Sequence, residues 1–276
     1  MFILEKSWKD YSIVAFDTET SGAYPLDSEI VEFGAVKWKD GQEVGRLQML
    51  LKPSEPMTQF IIGIHGITNE MVADAPKMSE KINEIHSFLD GSIIVAHHAP
   101  FDLGFLRVDF EKNKMNSPNT LNLCTSLLAR KLIHETVNHK LQTLVKYFNI
   151  NGGQAHRAYD DASACLQVAF ECFRRLEGNS SLANILEIQG KNLDWSNYDL
   201  LSLPPSSLQK ISQAIAQRKK IDIVYQGGTA GIGSRRITPM GIVRNPDGDY
   251  VMALCHRDGV QKRFYISKIK EMEVEL

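Results

Sequence analysis

The chain has 276 residues, 43% hydrophobic and 23% charged, which excludes a disordered or fibrous polymer and predicts one large or two unequal folded domains. Four cysteines (Cys124, Cys165, Cys172, Cys255) form no CxxC pair, and no apolar run is long enough to span a membrane. A disulfide-stapled secreted scaffold and a membrane helix are thereby excluded, no signal peptide is read in MFILEKSWKD, and reduced thiols in a cytoplasmic protein are expected. The net charge of −2 hides an asymmetry, because residues 206–276 hold 12 Lys+Arg against 7 Asp+Glu and the remainder is net acidic. A small basic module on a larger acidic one suits contact with phosphates; a solvated basic surface is the plainer reading.

In chain order, Ile13-Val14-Ala15-Phe16 reads as a buried strand within 12–17, and Ile30 to Trp38 as a second strand. Asp40-Gly41 signals a hairpin into a third strand over 46–52, ended by Pro53. Residues 53–66 read as a loop, with Thr68 capping a short helix after it. Apolar residues at Ile82, Ile85, Phe88 and Leu89 predict a helix over 79–89. Residues 92–97 are a continuous apolar strand, and Pro100 opens a helix carrying Asp102. Further helices are predicted over 121–133, from Leu141 to Phe148, and over 159–176.

Composition breaks at Gly178-Asn179-Ser180-Ser181 and at Pro204-Pro205 bound a linker, 178–205, with a short helix over 182–189. A helix over 208–218, capped by Ser207, and short strands over 221–225, 235–239, 241–243, 250–255 and 263–266 follow. Turns at Gly227-Gly228, Asn245 to Gly248 and Asp258-Gly259 separate them. This pattern predicts a small β-barrel. The division is therefore 1–177, a linker over 178–205, and a basic domain over 206–276.

Asp17 and Glu19 are two apart on the first strand, so they share a face at the end of an apolar run. Two like charges at a buried edge lose hydration and repel unless a cation compensates. A metal site and a solvated strand end are both open on this stretch alone. Asp102 and Asp161 each stand near a helix start, where the dipole favours an acid in any case. His156 lies in the loop before Asp161, where a surface histidine is the plain reading.

Together these residues follow a distinctive order. Phe16-Asp17-Thr18-Glu19-Thr20-Ser21-Gly22, Ile64-His65-Gly66-Ile67-Thr68, Val95-Ala96-His97-His98-Ala99-Pro100-Phe101-Asp102 and His156-Arg157-Ala158-Tyr159-Asp160-Asp161-Ala162 resemble the motifs of the DEDDh 3'–5' exonucleases, which include the proofreading subunits or domains of bacterial replicative polymerases. The resemblance covers about residues 10–175. It implies an α/β fold, an RNase H-like mixed sheet flanked by helices. It further implies two divalent cations, Mg²⁺ or Mn²⁺, held by Asp17, Glu19, Asp102 and Asp161, with His156 as general base. Two hard cations of this kind relieve charge on a phosphodiester and activate water, and an imidazole suits the base role at neutral pH. Zinc is the alternative metal, disfavoured because the usual Cys/His spacing is absent. Thr20, Ser21, Gly22, His65, Gly66, Ile67, His98 and Phe101 are the implied substrate-binding residues, with core packing the competing reading for Ile64, Ile67 and Phe101. The family usually has His-Asn where this chain has His97-His98; a polar side chain is kept there and no metal ligand is lost.

The stretch from Ser207 to Val274 resembles a WYL domain. Ile221-Asp222-Ile223-Val224-Tyr225, Arg235 to Gly241, Asp249 to Cys255 and Arg263-Phe264-Tyr265 carry the likeness, with Asp249-Tyr250-Val251 in place of the usual Trp-Tyr-Leu. The resemblance implies a Sm-like β-barrel that binds nucleic acid or a nucleotide ligand. Arg235, Arg236, Arg257 and Arg263, with Tyr250 for stacking, are the candidate phosphate patch. The expected activity is 3'–5' hydrolysis of single-stranded DNA or RNA in repair, proofreading or turnover, with no membrane partner. A nucleic-acid- or nucleotide-binding regulator using the nuclease fold as a scaffold is the alternative. So is a nuclease controlled by a ligand-sensing basic module.

Overall fold

A computed structural model of the chain describes residues 2–176, 181–202, 207–227 and 231–275. The predicted breaks at Gly178 to Ser180 and Pro204-Pro205, and the turn residue Gly228, lie outside them. The chain forms two compact units that do not follow chain order. The first comprises Met1–Ser21, Ile30–Asp102 and Asn116–Asp194; the second comprises Gly22–Glu29, Leu103–Met115 and Trp195–Leu276.

The first unit is built on a five-stranded mixed sheet. Its strands are β1 (Ile13–Thr20), β2 (Ile30–Lys39), β3 (Gln42–Leu50), β4 (Ile93–Ala96) and β5 (Leu121–Cys124), in the order β3-β2-β1-β4-β5. β1 to β3 are antiparallel neighbours, whereas β4 and β5 run parallel to β1. The Asp40-Gly41 hairpin is present, with both residues at positive φ and Lys39 facing Gln42. That is the backbone a two-residue turn needs to match strand twist. The helices of this part of the chain are α1 (Gln59–His65), α2 (Met78–Leu89), α3 (Pro100–Lys112), α4 (Thr125–Leu132), α5 (Leu141–Tyr147), α6 (Ala158–Arg174) and α7 (Leu182–Gln189). α6 packs on β1 and β2. Ile13 and Ala15 of β1 join Val95 of β4 and Cys165 and Ala169 of α6 in one core.

Two expectations are corrected here. The single helix over 121–133 is a buried strand, β5, running into α4. Leu121 to Cys124 are all buried beside β4, and a fully buried parallel strand has no alternation to set it apart from a helix. The 53–66 loop contains α1, capped by Thr58, whose hydroxyl accepts from Ile61 N at 3.4 Å. Thr68 also accepts from Met71 N, but the chain after it makes turns and no helix.

The second unit contains α8 (Ser207–Ala216), β6 (Ile221–Gln226), β7 (Ile232–Val243), β8 (Tyr250–Cys255), β9 (Val260–Tyr265) and β10 (Ile269–Val274). The strands form an antiparallel sheet in the order β10-β6-β7-β8-β9. Among the described residues β9 and β10 share no ladder, so the sheet is open and not a closed barrel. β7 joins the two strands expected over 235–239 and 241–243, with a register shift between Pro239 and Gly241. β10 was not expected, because Lys270, Glu271 and Glu273 mask its apolar alternation. Ile211, Ile223, Ile237, Val251 and Phe264 build the core, joined by Val108 of α3. Tyr24 also lies in this unit, against Gly241, where a Cβ would come within 2.1 Å of the Tyr24 ring. Glu111 of α3 accepts from the backbone N–H groups of Leu200, Leu201 and Ser202.

Candidate active site

β1 supplies the first half of the site by simple alternation. Ile13 and Ala15 point into the α6 core, so Asp17 and Glu19 continue the same face beyond it. β4 lies parallel to β1 and ends at the same edge. It delivers His97, His98 and then the first turn of α3 with Asp102. α6 brings Asp161 in its own first turn. Its start can reach the sheet because β2 has Gly34 there; a Cβ at that position would meet Tyr159 N at 2.1 Å and the Ala158 carbonyl carbon at 2.3 Å.

The result is one cavity of about 200 Å³ lined by Asp17, Thr18, Glu19, His97, His98, Phe101, Asp102, His156 and Asp161. Ligand atoms of Glu19, His156 and Asp161 all lie within 4.8 Å of one another. Asp102 Oδ1 accepts from the Thr18 hydroxyl at 2.7 Å and the Thr18 N–H at 3.1 Å. Asp161 Oδ1 accepts from Gln142 Nε2 at 3.1 Å, and Oδ2 from the His156 N–H at 2.9 Å. His156 is exposed and sits at φ 61°, a left-handed conformation uncommon outside glycine. Its backbone thus binds the carboxylate while its ring lines the cavity.

The electrostatics are those of crowded acids. Burial, then Asp102 and Glu19, push Asp17 well above the usual carboxylate range. Burial, then Asp161 and Glu32, push Glu19 up to about 8. Burial holds Asp102 at about 7 against the lowering effect of its Thr18 bonds, and raises Asp161 as well. Like charges confined this way favour a compensating cation. The donor set is four carboxylates with no thiolate, which fits hard cations with oxygen ligands.

The other anticipated residues are placed as follows. His98 and Phe101 line the cavity, His98 at φ 69°. His65 is buried at the end of α1, with Nδ1 accepting from Ile67 N at 3.0 Å, and burial lowers its pKa. Gly66 is the left-handed cap of α1. Ile67 is fully buried in a core cluster with Val31, Met57 and Val72. Ile64, by contrast, is exposed. Thr20 is buried at the end of β1, with Ser21 and Gly22 following; Thr20 and Ser21 do not line the cavity.

The basic patch is divided. Arg235 is buried on one face of β7, whereas Arg236 is exposed on the other and binds Asp222 through two nitrogens, at 3.0 and 2.7 Å. Strand alternation separates adjacent residues in this way. Arg257 is exposed in the β8–β9 turn. Arg263 lies 5.1 Å from the Tyr250 ring centroid, so this pair does sit together.

Four contributors have no role assigned from the motifs, although Thr18, His97 and Arg157 stand inside the matching stretches. Thr18 and Gln142 hold Asp102 and Asp161, Arg157 holds Glu32 beside the site, and His97 packs its ring nitrogens 2.8 Å from Thr125 Oγ1 and 3.0 Å from the His139 carbonyl. Burial lowers the His97 pKa to about 4, so it is a neutral spacer. Glu32 is a fifth, and its signal is one acid inside the apolar run Ile30-Val31-Glu32-Phe33. A larger cavity, about 700 Å³, opens beside Ile13 at the other end of β1. Its lining is aromatic with Asp40 as the single carboxylate, so the acid chemistry is not there.

This fold and this cluster define an RNase H-like nuclease domain with an acidic, cation-seeking pocket. The exonuclease family model of the RNase T type matches residues 14–169, and the WYL domain model matches residues 206–274. The chain belongs to the exonuclease family, as a DEDD-type member with a WYL domain after it. It is 38% identical over 155 residues to a PolC-type DNA polymerase III of Halalkalibacterium halodurans, covering 56% of this chain and 11% of that protein. It is 28% identical over 270 residues to the PolC-type DNA polymerase III of Caldanaerobacter subterraneus, covering 95% of this chain and 19% of that protein. The chain thus spans a fifth or less of the length of these relatives. Its fold is similar to the zinc-bound E. coli Exonuclease I–single-stranded DNA complex, with TM-score 0.57, 18% identity, and 88% and 54% of the two chains covered.

Proposed function

We propose that this chain hydrolyses the terminal phosphodiester at 3' ends of single-stranded DNA or RNA, releasing nucleoside monophosphates in repair, proofreading or nucleic-acid turnover. One observation carries the reading: Asp17, Glu19, Asp102 and Asp161, from three separate segments, converge with His156 on a single small cavity. The family membership and the nucleic-acid-handling relatives support it.

Asp17, Glu19, Asp102 and Asp161 would hold two divalent cations, Mg²⁺ or Mn²⁺. When bound, these supply Lewis-acid stabilisation of the phosphate and leaving oxygen and make water more acidic. His156, at the exposed rim, takes the proton from the attacking water. Thr18 and Gln142 keep Asp102 and Asp161 oriented. Phe101 and His98 stand where a terminal nucleotide would meet the cavity wall, with His65, Gly66 and the exposed Ile64 as further contacts.

The C-terminal unit is read as a nucleic-acid- or nucleotide-binding module, supported by the WYL match and the Tyr250–Arg263 pair. A functional division into 1–177, a linker over 178–205, and 206–276 is part of this reading, supported by family matches over 14–169 and 206–274. No helix of the described residues is long and apolar enough to cross a membrane, and a cytoplasmic location is proposed with the reduced cysteines.

The test compares 3'- and 5'-labelled single-stranded DNA, duplex DNA and RNA of one sequence, with Mg²⁺, Mn²⁺ or EDTA. Stepwise release from the 3' end only with metal is expected. No release from 3' ends under any metal condition overturns the proposal.

A further inference from the structure

Glu32 is a fully buried acid that the acidic-pocket chemistry does not use. It stands on β2 directly across from Glu19 of β1. A second buried carboxylate beside a metal-seeking one is unfavourable unless something fixes it. Its partners come from the start of α6. Arg157 Nε lies 3.3 and 3.1 Å from the two Glu32 oxygens, and Arg157 Nη2 lies 2.7 Å from Oε1. The Ala158 N–H, one of the otherwise unpaired donors of the first helical turn, donates to Glu32 Oε2 at 3.1 Å. Gln48 of β3 donates to Oε1 at 3.3 Å. Arg157 is the N-cap residue of α6 but makes no side-chain cap of its own. The cap is supplied from the sheet instead.

The location of this clamp gives it a consequence for the reaction. Arg157 directly follows His156 and lies four residues before Asp161. The same junction is held by the Gly34 close approach and by Tyr159, whose ring lies 3.4 Å from the Arg46 guanidinium carbon. Gly34 and Tyr159 fix the height of the helix over the sheet. A bidentate guanidinium–carboxylate pair adds orientation, which a single contact does not.

We propose that Glu32 and Arg157 are positioning residues for the nuclease reaction, an ion pair that pins the start of α6 to β2 and so holds His156 and Asp161 in register with Asp17 and Glu19. This rests on reading the acidic cavity as the cation and substrate site. Neither residue lines the acidic cavity. Their effect is on the placement of a ligand and a base, so turnover and cation affinity change while strand binding does not.

The experiment uses the full chain with Glu32→Gln, Arg157→Gln, Arg157→Lys and the Glu32→Gln/Arg157→Gln double variant. Folding is checked by circular dichroism and melting temperature. Mn²⁺ affinity is measured by calorimetry without substrate, and kcat and KM on a 3'-labelled oligonucleotide. Partners behind metal ligands typically set affinity or activity by about 10–100-fold. Each Gln variant is expected to lose kcat and Mn²⁺ affinity by that order, with KM within about threefold. The double variant should be no worse than either single one, and Arg157→Lys should recover part of the loss. A folded Glu32→Gln or Arg157→Gln protein with wild-type kcat and Mn²⁺ affinity overturns the proposal. So do losses that multiply in the double variant, which would mean the residues act separately. Should wild type bind Mn²⁺ without hydrolysing any strand, the nuclease reading fails alone, and the Mn²⁺ affinities of the variants still decide the positioning role.

Discussion

Thr18 donates twice to one oxygen of Asp102, through its hydroxyl at 2.7 Å and its N–H at 3.1 Å. The residue between Asp17 and Glu19 on β1 thereby orients the acid that arrives on α3. Burial raises the Asp102 pKa to about 7 and the Thr18 hydroxyl lowers it. Thr18→Val removes that donor and keeps the shape, so Asp102 becomes harder to ionise. A kcat loss of about 10–100-fold is expected, with Thr18→Ser close to wild type. Equal loss in both variants, measured on a labelled oligonucleotide, would place the effect in packing.

His156→Ala removes the proposed base while leaving the residue 156 N–H bond to Asp161 available. The expected loss in kcat is about 10²–10⁴-fold, with oligonucleotide affinity largely kept. Single-turnover rates and filter binding separate the two. Activity within a few-fold of wild type would remove His156 from the proton-transfer role.

The acid cluster makes stability depend on pH in a direction that can be checked. Glu19 is held near 8, above the ordinary carboxylate range, and Asp17, Asp102 and Asp161 are raised too. A carboxyl with a raised folded-state pKa binds more protons folded than unfolded, so its contribution fades as pH rises from the ordinary range through the folded value. In EDTA the melting temperature should fall between about pH 5 and 8.5. Mn²⁺ should restore it, with the larger gain at the higher pH. A metal-free melting temperature that rises over this window contradicts the account.

Gly34 should tolerate no side chain. The atoms a Cβ would meet, Tyr159 N and the Ala158 carbonyl carbon, are backbone, at 2.1 and 2.3 Å. Relief requires moving the start of α6, not turning a rotamer. Gly34→Ala is expected to destabilise by about 1–3 kcal/mol or more and to lose activity even where the protein stays folded. Denaturant melts and initial rates measure the two. A variant matching wild type in both would mean that α6 can shift freely.

The C-terminal unit is better probed by point variants than by truncation, because Gly22–Glu29 and Leu103–Met115 belong to the same compact unit. Removing residues 206–276 would uncover Val108 and unseat Tyr24 from Gly241. Tyr250→Ala should weaken single-strand affinity by about 1–3 kcal/mol if the Tyr250 face stacks a base. Arg263→Gln should reduce the salt dependence of binding. Unchanged affinity and salt slope in both variants would leave this face without a strand-binding role.

Much of the molecule was legible from local pattern. The apolar strand ending in Asp17 and Glu19, the Asp40-Gly41 hairpin and the amphipathic helix carrying Asp161 each declare themselves through periodicity or turn chemistry. β5 did not, because a strand buried on both faces loses its alternation. α1 was too short and too close to Pro53 and Pro56 to register.

Which residue types could do the chemistry, and in what order they occur, can be read along the chain, because spacing on a strand or a first helical turn is a local property. Three-dimensional packing brings three distant segments to one cavity and places Ile67 in the core. It also separates Arg235 from Arg236 and ties α6 to the sheet through Glu32. Those outcomes depend on strand order, face and the approach of one backbone to another at Gly34. Such long-range geometry is set by packing and has no period in the sequence.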